Sequence, residues 1–539
     1  MADAAPIPDL RSREEALAPS RSFIVQAPAG SGKTELLIQR YLGLLASVNE
    51  PEEIVAITFT RKAAAEMRER VLAAFAQAIA GKAPASGHER RTHGLARAAI
   101  ERDGARGWRI TDSPARLRIQ TIDSLCAALT RQMPMLSKFG SQPESIEDAG
   151  ALYAEAARAT VDLIESKDPA ADYVERLLAH LDNNVGRIEE LLADMLQRRD
   201  HWLRHVHGRE RAELETALQK ARHAVFERVC SLIPAQARAE LQALADYAFG
   251  NLGHGVFTDS IESWAVCAGV LLTDRDRWRR KLTRDEGFPP GPPAQPWKNR
   301  ALALLEMLAA HEELRASLAD MRKLPTERYS DGQWEVLGAI LRLLPHAVGQ
   351  LKLVFQSRGQ VDFTEVSQAS LRALTTEEGP TDLALALDYR IRHLLIDEFQ
   401  DTSISQYELV ARLTAGWEPD DGRTVFAVGD PMQSIYRFRE AEVGLFLRAR
   451  ALGIGGVDLQ PIRLTANFRS QAGIVEWVNA TFAQVMPGRE DVATGAVPHT
   501  ASVATRPALD DAAVSVHPFF NGDKVGEAAR VVEIVMQAR

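Results

Sequence analysis

Residues Ala27-Pro28-Ala29-Gly30-Ser31-Gly32-Lys33-Thr34 bring two glycines, a lysine and a hydroxyl into one short turn. That combination can hold a polyphosphate. Glycines let backbone amides turn inward around phosphate oxygens, and a following helix adds the positive end of its dipole. Lys33 is placed to reach the β- and γ-phosphates, and the Thr34 hydroxyl to hold Mg²⁺. Ala27 stands where the general Gly-x-x-x-x-Gly-Lys-[Ser/Thr] form has its first glycine. A second acidic segment, Leu394-Leu-Ile-Asp397-Glu398-Phe-Gln400-Asp401, delivers carboxylates from an apolar run. Asp397 suits a water-mediated Mg²⁺ contact, and Glu398 can orient and deprotonate an attacking water. Each segment has a plainer reading, a glycine turn before a helix or a solvated acidic loop. Their joint presence points to Mg²⁺-dependent hydrolysis of a nucleoside triphosphate.

These residues need strands and helices to place them. Phe23 to Ala27 and Ile54 to Thr58 read as buried strands, each followed by a helical pattern, Glu35 to Leu45 and Arg61 to about Ala80. Such alternation implies a parallel sheet with right-handed crossovers. Residues 82–112 turn polar and read as an inserted loop or hairpin. From 126 to 345 the chain is rich in Ala, Leu, Arg and Glu. Leu177, Leu181, Val185, Ile188, Leu192 and Met195 recur at helical spacing, as a core stripe does. Gly287-Phe-Pro-Pro-Gly-Pro-Pro293 reads as a hinge within this helical region. Strand signals return at His393 to Asp397, Thr424 to Gly429 and Ile462 to Thr465. After 485 the chain reads as loop, then one strand (Val514 to Pro518) and one helix (Val525 to Arg539), too little to bury its own apolar faces. The expected division is a discontinuous nucleotide-binding domain (1–125 and 346–455), an inserted all-α domain (126–345) and the start of a further sheet domain (456–539).

Composition bounds the rest. The chain has 539 residues, 46% of them hydrophobic and 25% charged, and a net charge of −9. A length of this order suggests roughly three or four domains. The negative balance excludes a uniformly basic DNA-coating protein, so any nucleic-acid contact must come from a local groove. Cys126, Cys230 and Cys267 lie far apart, without a Cys-x-x-Cys pair, which argues against a zinc knuckle, an iron–sulfur cluster or a disulfide framework. The N-terminus has no secretory pattern and no apolar run approaches the roughly 18–20 residues of a membrane span, so a reducing, cytoplasmic setting without a membrane is expected. His205 and His207 lack the further ligands of a metal site. The cluster Arg198-Arg199-Asp-His-Trp202 reads as a solvated helix face rather than a DNA contact.

Five segments in order carry a more specific likeness: Thr58-Phe-Thr-Arg-Lys-Ala-Ala-Ala-Glu-Met67, Thr121-Ile-Asp-Ser-Leu-Cys126, Asp397-Glu-Phe-Gln-Asp-Thr402, Val428-Gly-Asp-Pro-Met-Gln-Ser-Ile-Tyr-Arg-Phe-Arg439 and Asn467-Phe-Arg-Ser470. They resemble successive motifs of superfamily 1 DNA helicases of the UvrD/RecB type, over the chain from about residue 9 to its end. The Asp362-Phe-Thr-Glu365 segment is most similar to the long RecB- and AddA-type helicase–nuclease subunits. The resemblance implies an α/β fold, a P-loop NTPase (RecA-like) parallel-sheet domain with a large all-α insertion and an incomplete second RecA-like domain. It implies a 3′→5′ helicase or translocase on single-stranded and duplex-junction DNA, serving recombination or double-strand-break repair. Its implied partner is a second helicase–nuclease subunit. Position by position it implies Gln433 as γ-phosphate sensor, Arg469 as arginine finger, and Phe468 with Arg40 sandwiching adenine. It implies Phe59, Tyr436 and Phe438 stacking on bases, Arg61, Arg437 and Arg439 near the DNA backbone, and Thr121 and Ser124 in the same groove. Phe59 and Phe438 can equally be core aromatics, and Arg437 and Arg439 surface partners of Glu440 or Glu442.

The sequence departs from the family at several points. Ser12-Arg13-Glu-Glu-Ala16 lacks the glutamine that reads adenine, Asp123 stands where His is common, and Phe438 where Trp is common. Two later motifs and the nuclease carboxylates do not occur before Arg539, so an N-terminal fragment of a longer motor is the expectation. A non-catalytic DNA- or partner-binding remnant is the alternative.

Overall fold

In the computed structural model, described over residues 7–81, 84, 86–133, 143–206, 210–325, 329–376, 379–435, 442–492, 495–520 and 522–537, six strands form one parallel sheet. They are β1 (Phe23–Gln26), β2 (Ile54–Thr58), β3 (Arg118–Thr121), β4 (His393–Ile396), β5 (Thr424–Gly429) and β6 (Gln460–Arg463). Their order is β6-β1-β5-β4-β2-β3. β1, β2, β4 and β5 are buried along their whole length. They therefore read as unbroken apolar runs, as strands covered on both faces do. The register aligns Gln26 with Gly429, Ile57 with Ile396, and Thr58 with Thr121. The residues after each strand thus emerge at one carboxyl edge, where open α/β sheets place their ligands.

Helices cover the sheet. α1 (Leu10–Ala16) precedes β1, α2 (Lys33–Leu45) comes after it, and α3 (Arg61–Ile79) comes after β2. Phe23, Leu37, Tyr41, Ala56, Phe75, Ile119 and Phe426 meet in the resulting core. The polar stretch after residue 82 is no loop. It contains α4 (Gly87–Arg106), which packs on α2 and α3. Its start is a capping box, Ser86 with Glu89, and its end a left-handed Gly107. Both are recognised termination signals. α5 (Ile122–Gln132) leaves β3 with Thr121 as its cap. β6 pairs with β1, so residues 460–463 complete this sheet rather than open the second one expected from 456. Beyond it, β7 (Ala466–Gln471) pairs in parallel with β8 (Val503–Arg506). No strand forms at Val514–Pro518, and a helix, Lys524–Gln537, comes next.

The chain divides into two compact units, Met1–Ala151 with Leu353–Arg539, and Leu152–Lys352. Among its described residues, the second is all-helical apart from one isolated β-bridge, Leu272 to Trp278. Phe249, Trp264, Leu304, Leu308, Leu318 and Met321 form its core. The stripe expected as one helix is two, Ala170–His180 and Val185–Gln197. Asp182 and Asn183 turn the chain between them in the left-handed region, leaving Val185 exposed. The glycine–proline segment is not a hinge either. Phe288 is buried, and a Cβ on Gly287 would lie 2.5 Å from the Ala248 carbonyl oxygen. Arg199, expected on a solvated face, is fully buried and donates to the Leu196 carbonyl at 3.2 Å. Helix Asp331–Arg358 is long and apolar enough to cross a membrane by length and composition. Its Leu343, Leu344, Ala347 and Leu351 are buried within the protein, as in a core helix.

His393, at the start of β4, is buried with Nδ1 2.8 Å from Thr424 Oγ1. Burial, aided by the Arg40 and Arg392 charges, pushes its imidazole down to about 3 from 6.5. An unfolded chain therefore takes up this proton first. Its stabilising contribution is complete above pH 6.5 and is lost as pH falls toward 3, at up to about 1.4 kcal/mol per pH unit. Denaturant unfolding at pH 7 and pH 5 should show a smaller acid penalty in His393→Gln than in the wild type; equal penalties would refute this source.

Candidate nucleotide site

The turn from β1 to α2 is built for close approach. Gly30 and Gly32 both take left-handed backbone conformations, φ +77° and +76°. The Ser31 N–H donates to the Pro28 carbonyl at 3.0 Å, closing the turn. Ser31 Oγ is buried with no hydrogen-bond partner among the described residues. A buried, orphaned hydroxyl in a glycine turn fits a phosphate oxygen. Thr34 occupies the first turn of α2, and Lys33 begins that helix.

Lys33 Nζ lies 2.5 Å from Glu398 Oε2, joining the turn after β1 to the end of β4. Glu398 is held at φ +53°, a strained backbone for a residue with a Cβ. Asp397 precedes it, its N–H donating to the Ile57 carbonyl at 2.8 Å. Burial pushes the Asp397 carboxyl up to about 6, with Lys33 opposing and Glu398 reinforcing the rise. Asp401 also rises to about 6 through burial, despite a hydrogen bond from Ser434. Asp430, at the end of β5, is raised by burial as well. Its carboxylate accepts from Gln433 Nε2. Among the described residues no three His, Cys, Asp or Glu side chains form a ready-made metal cage. Mg²⁺ commonly relies on one or two carboxylates plus substrate phosphates, and Asp397 with the Thr34 hydroxyl suits that manner of binding.

β7 closes over the turn. The Phe468 N–H donates to the Gly30 carbonyl at 2.8 Å, and Asn467 Nδ2 to the Ala29 carbonyl at 3.1 Å. A Cβ on Gly30 would stand 2.7 Å from Asn467 Oδ1 and 2.9 Å from Arg469 Cβ. Arg469, exposed, therefore sits beside the turn.

Arg40 is elsewhere, and its expected place on adenine is overturned. Its guanidinium is 1% exposed and donates to the carbonyls of Ala16, Ala18, Pro19 and Arg21 and to Thr424 Oγ1. Thr424 opens β5, about 17 Å by strand rise from the Gly429 end. The residue that does face Phe468 is Arg13, with its guanidinium 5.1 Å from the ring centroid. Asp9 grips Arg13 at 2.6 and 3.0 Å, and Arg13 Nη2 donates to the Ser31 carbonyl at 2.7 Å. The 12–16 segment showed only a missing glutamine; the Asp9-x-x-x-Arg13 spacing of a helical ion pair was the available signal.

Of the residues expected on DNA, Phe59 and Arg61 lie just past β2, and Thr121 and Ser124 at the end of β3 and just beyond it, all at the carboxyl edge. Thr121 Oγ1 accepts the Ser124 N–H at 3.1 Å and lies 2.8 Å from its hydroxyl, so Thr121 also caps α5. Tyr436, Arg437, Phe438 and Arg439 lie outside the described residues.

A parallel sheet with a glycine turn, a lysine and paired carboxylates at one edge is the plan of a nucleotide-dependent α/β protein. The sequence profile of the UvrD/REP helicase N-terminal domain matches residues 11–452, and the chain belongs to that family. It is 26% identical over 523 residues to a Lysinibacillus sphaericus protein named as an ATP-dependent helicase/nuclease subunit, covering 88% of this chain and 39% of that protein. It is 28% identical over 508 residues to the protein of the same name from Moorella thermoacetica, covering 86% of this chain and 34% of the relative. The chain thus spans between a third and two fifths of the length of these relatives.

Arg40 serves the fold by this geometry. Arg40→Lys should lower the melting temperature by about 3–6 °C, through lost charge-assisted hydrogen bonds. Fluorescent-nucleotide affinity should stay within about twofold, since no catalytic or binding contact is removed. A selective loss of affinity at unchanged melting would return Arg40 to the nucleotide.

Proposed function

We propose that this chain carries the ATP-hydrolysing machinery of a DNA helicase or translocase. The observation that carries this reading is the 2.5 Å contact between Lys33 and Glu398 across the carboxyl edge of one sheet. Family membership and relatives named as helicase/nuclease subunits support it. The sheet unit is a RecA-like P-loop domain, residues 152–352 are its helical insertion, and β7 and β8 begin a second RecA-like domain.

Bound Mg²⁺, held by Thr34 and Asp397, supplies charge neutralisation on the transferring phosphate. The amides of residues 27–34 and Lys33 hold the phosphate oxygens. Lys33 leaves Glu398 to do so, which frees Oε2 to orient a water and take its proton as the water oxygen bonds to the γ-phosphorus and the bond to the leaving diphosphate breaks. Gln433 senses the γ-phosphate, and Arg469 stabilises its developing charge. Phe468, with Arg13 in the place first expected of Arg40, lines the base pocket. Phe59, Arg61, Thr121 and Ser124 line the single-stranded DNA groove, where stacking on an aromatic ring grips any sequence. Movement is 3′→5′, in cytoplasmic DNA recombination or break repair. The relatives are named as subunits, which supports a second protein chain as partner.

Purified protein should show Mg²⁺-dependent ATPase stimulated by single-stranded DNA. Lys33→Ala should cut turnover at least about 100-fold. Glu398→Gln should do the same while retaining nucleotide binding. DNA binding indifferent to ATP, with no turnover in the wild type, would instead favour a non-catalytic module.

A further inference from the structure

Gln400 follows the acidic pair of β4 and has no role in the scheme above, yet it is 2% exposed and uses both ends of its amide. Nε2 donates to Glu398 Oε2 at 2.8 Å and to Asp401 Oδ2 at 3.0 Å. Oε1 accepts the backbone N–H of Asp430 at 2.9 Å. The amide thus spans the ends of β4 and β5. Space for it exists only because residue 429 is glycine: a Cβ there would stand 2.3 Å from Gln400 Oε1 and 3.1 Å from the Phe399 nitrogen.

We propose that Gln400 is a positioning residue for the hydrolytic step, a strut that aims the Glu398 carboxylate and ties it to the strand end bearing Asp430 and Gln433. The proposal rests on the reading of Glu398 as the group that orients the water. Two donors reach Glu398 Oε2 here, Lys33 and Gln400. Once Lys33 turns to phosphate oxygens, Gln400 is the donor that stays. It then holds a side chain whose own backbone is strained at φ +53°. The same amide is anchored at its other end by Asp430, whose carboxylate accepts from Gln433. A shift of Gln433 toward a ligand is therefore felt at Glu398 through three hydrogen bonds, by way of Asp430 and the Gln400 amide. Only an amide fits both ends. A carboxylate at position 400 would face two others at about 3 Å with no proton to give, and an alkyl chain would take a donor from Glu398 and from Asp401 and leave the buried Asp430 N–H without the acceptor it has here.

Gln400→Met and Gln400→Glu, measured beside Glu398→Gln, test this in the full chain. Gln400→Met should lower kcat of the DNA-stimulated ATPase by about 10- to 100-fold with KM for ATP within about threefold, the signature of misaim rather than lost binding. Gln400→Glu, which has no donor to offer, should lower kcat at least as far. Gln400→Asn, one methylene too short for the span, serves if the methionine variant fails to fold. Unchanged kcat, or parallel losses of kcat, nucleotide affinity and melting temperature, would overturn the proposal. A wild type without ATPase, or ATPase indifferent to Glu398→Gln, would instead overturn the reading of Glu398 on which it stands. Hydrogen exchange at the Asp430 amide reads the strut without turnover: protection equal in wild type and Gln400→Asn would also refute it.

Discussion

One ion pair has to bridge two strands that do not touch. β5 lies between β1 and β4, so the Lys33 turn and the Glu398 end start about 10 Å apart. Lys33 closes that distance over the end of β5, where Gly429 offers no side chain, and reaches Glu398 at 2.5 Å. A cation placed there faces Asp397, Glu398, Asp401 and Asp430. One lysine cannot neutralise four carboxylates, and burial has raised three of them. An anionic ligand arriving alone would meet surplus negative charge, whereas one accompanied by a divalent cation would relieve it. Most of the positions described around the edge make sense as ways of tolerating that crowding.

Much of this edge was legible in the sequence. Parallel strands buried on both faces leave unbroken apolar runs, so β1, β2, β4 and β5 announced themselves. The residues that end such runs must emerge together once the strands lie parallel. Lys33, Asp397 and Glu398 could therefore be assigned to one place from the residue pattern, and the structure joins them. The turn glycines were legible for the same local reason, since their left-handed backbones favour residues without a Cβ.

The features that escaped the sequence depend on partners distant along the chain. Arg40 reads as any helix arginine; only the fold shows the carbonyls of residues 16–21 converging on it. Arg13 looked like the loss of a glutamine, because its meaning lies in Phe468, more than four hundred positions away. α4 was hidden by polarity, as a helix that packs through alanines such as Ala96 and Ala99 shows little periodicity. Its capping box and terminal glycine were present and carried the information that the pattern did not. The glycine–proline run of 287–293 misled in the opposite sense, since local flexibility gives way when Phe288 has a core to enter. β6 was recognised as a strand but drawn into the wrong sheet, for neighbours in a parallel sheet are set by crossovers, not by sequence.

The tie between the turn and β7 has a mechanical consequence. The Ala29 and Gly30 carbonyls accept from Asn467 and Phe468. Asp9, which grips Arg13, also accepts the Thr465 and Ala466 N–H groups at 2.7 and 3.0 Å. Arg13 in turn holds the Ser31 carbonyl. β7 is thus fastened to the turn both directly and through the Asp9–Arg13 pair, and its own strand partner among the described residues is only β8. In a trans peptide group the C=O of one residue and the N–H of the next lie in one rigid plane and point in opposite directions. Turning the N–H groups of residues 30–32 toward a ligand therefore rotates the Ala29, Gly30 and Ser31 carbonyls that hold β7 and Arg13. Occupancy of the turn and the position of β7 are consequently linked by covalent geometry before any larger motion is invoked.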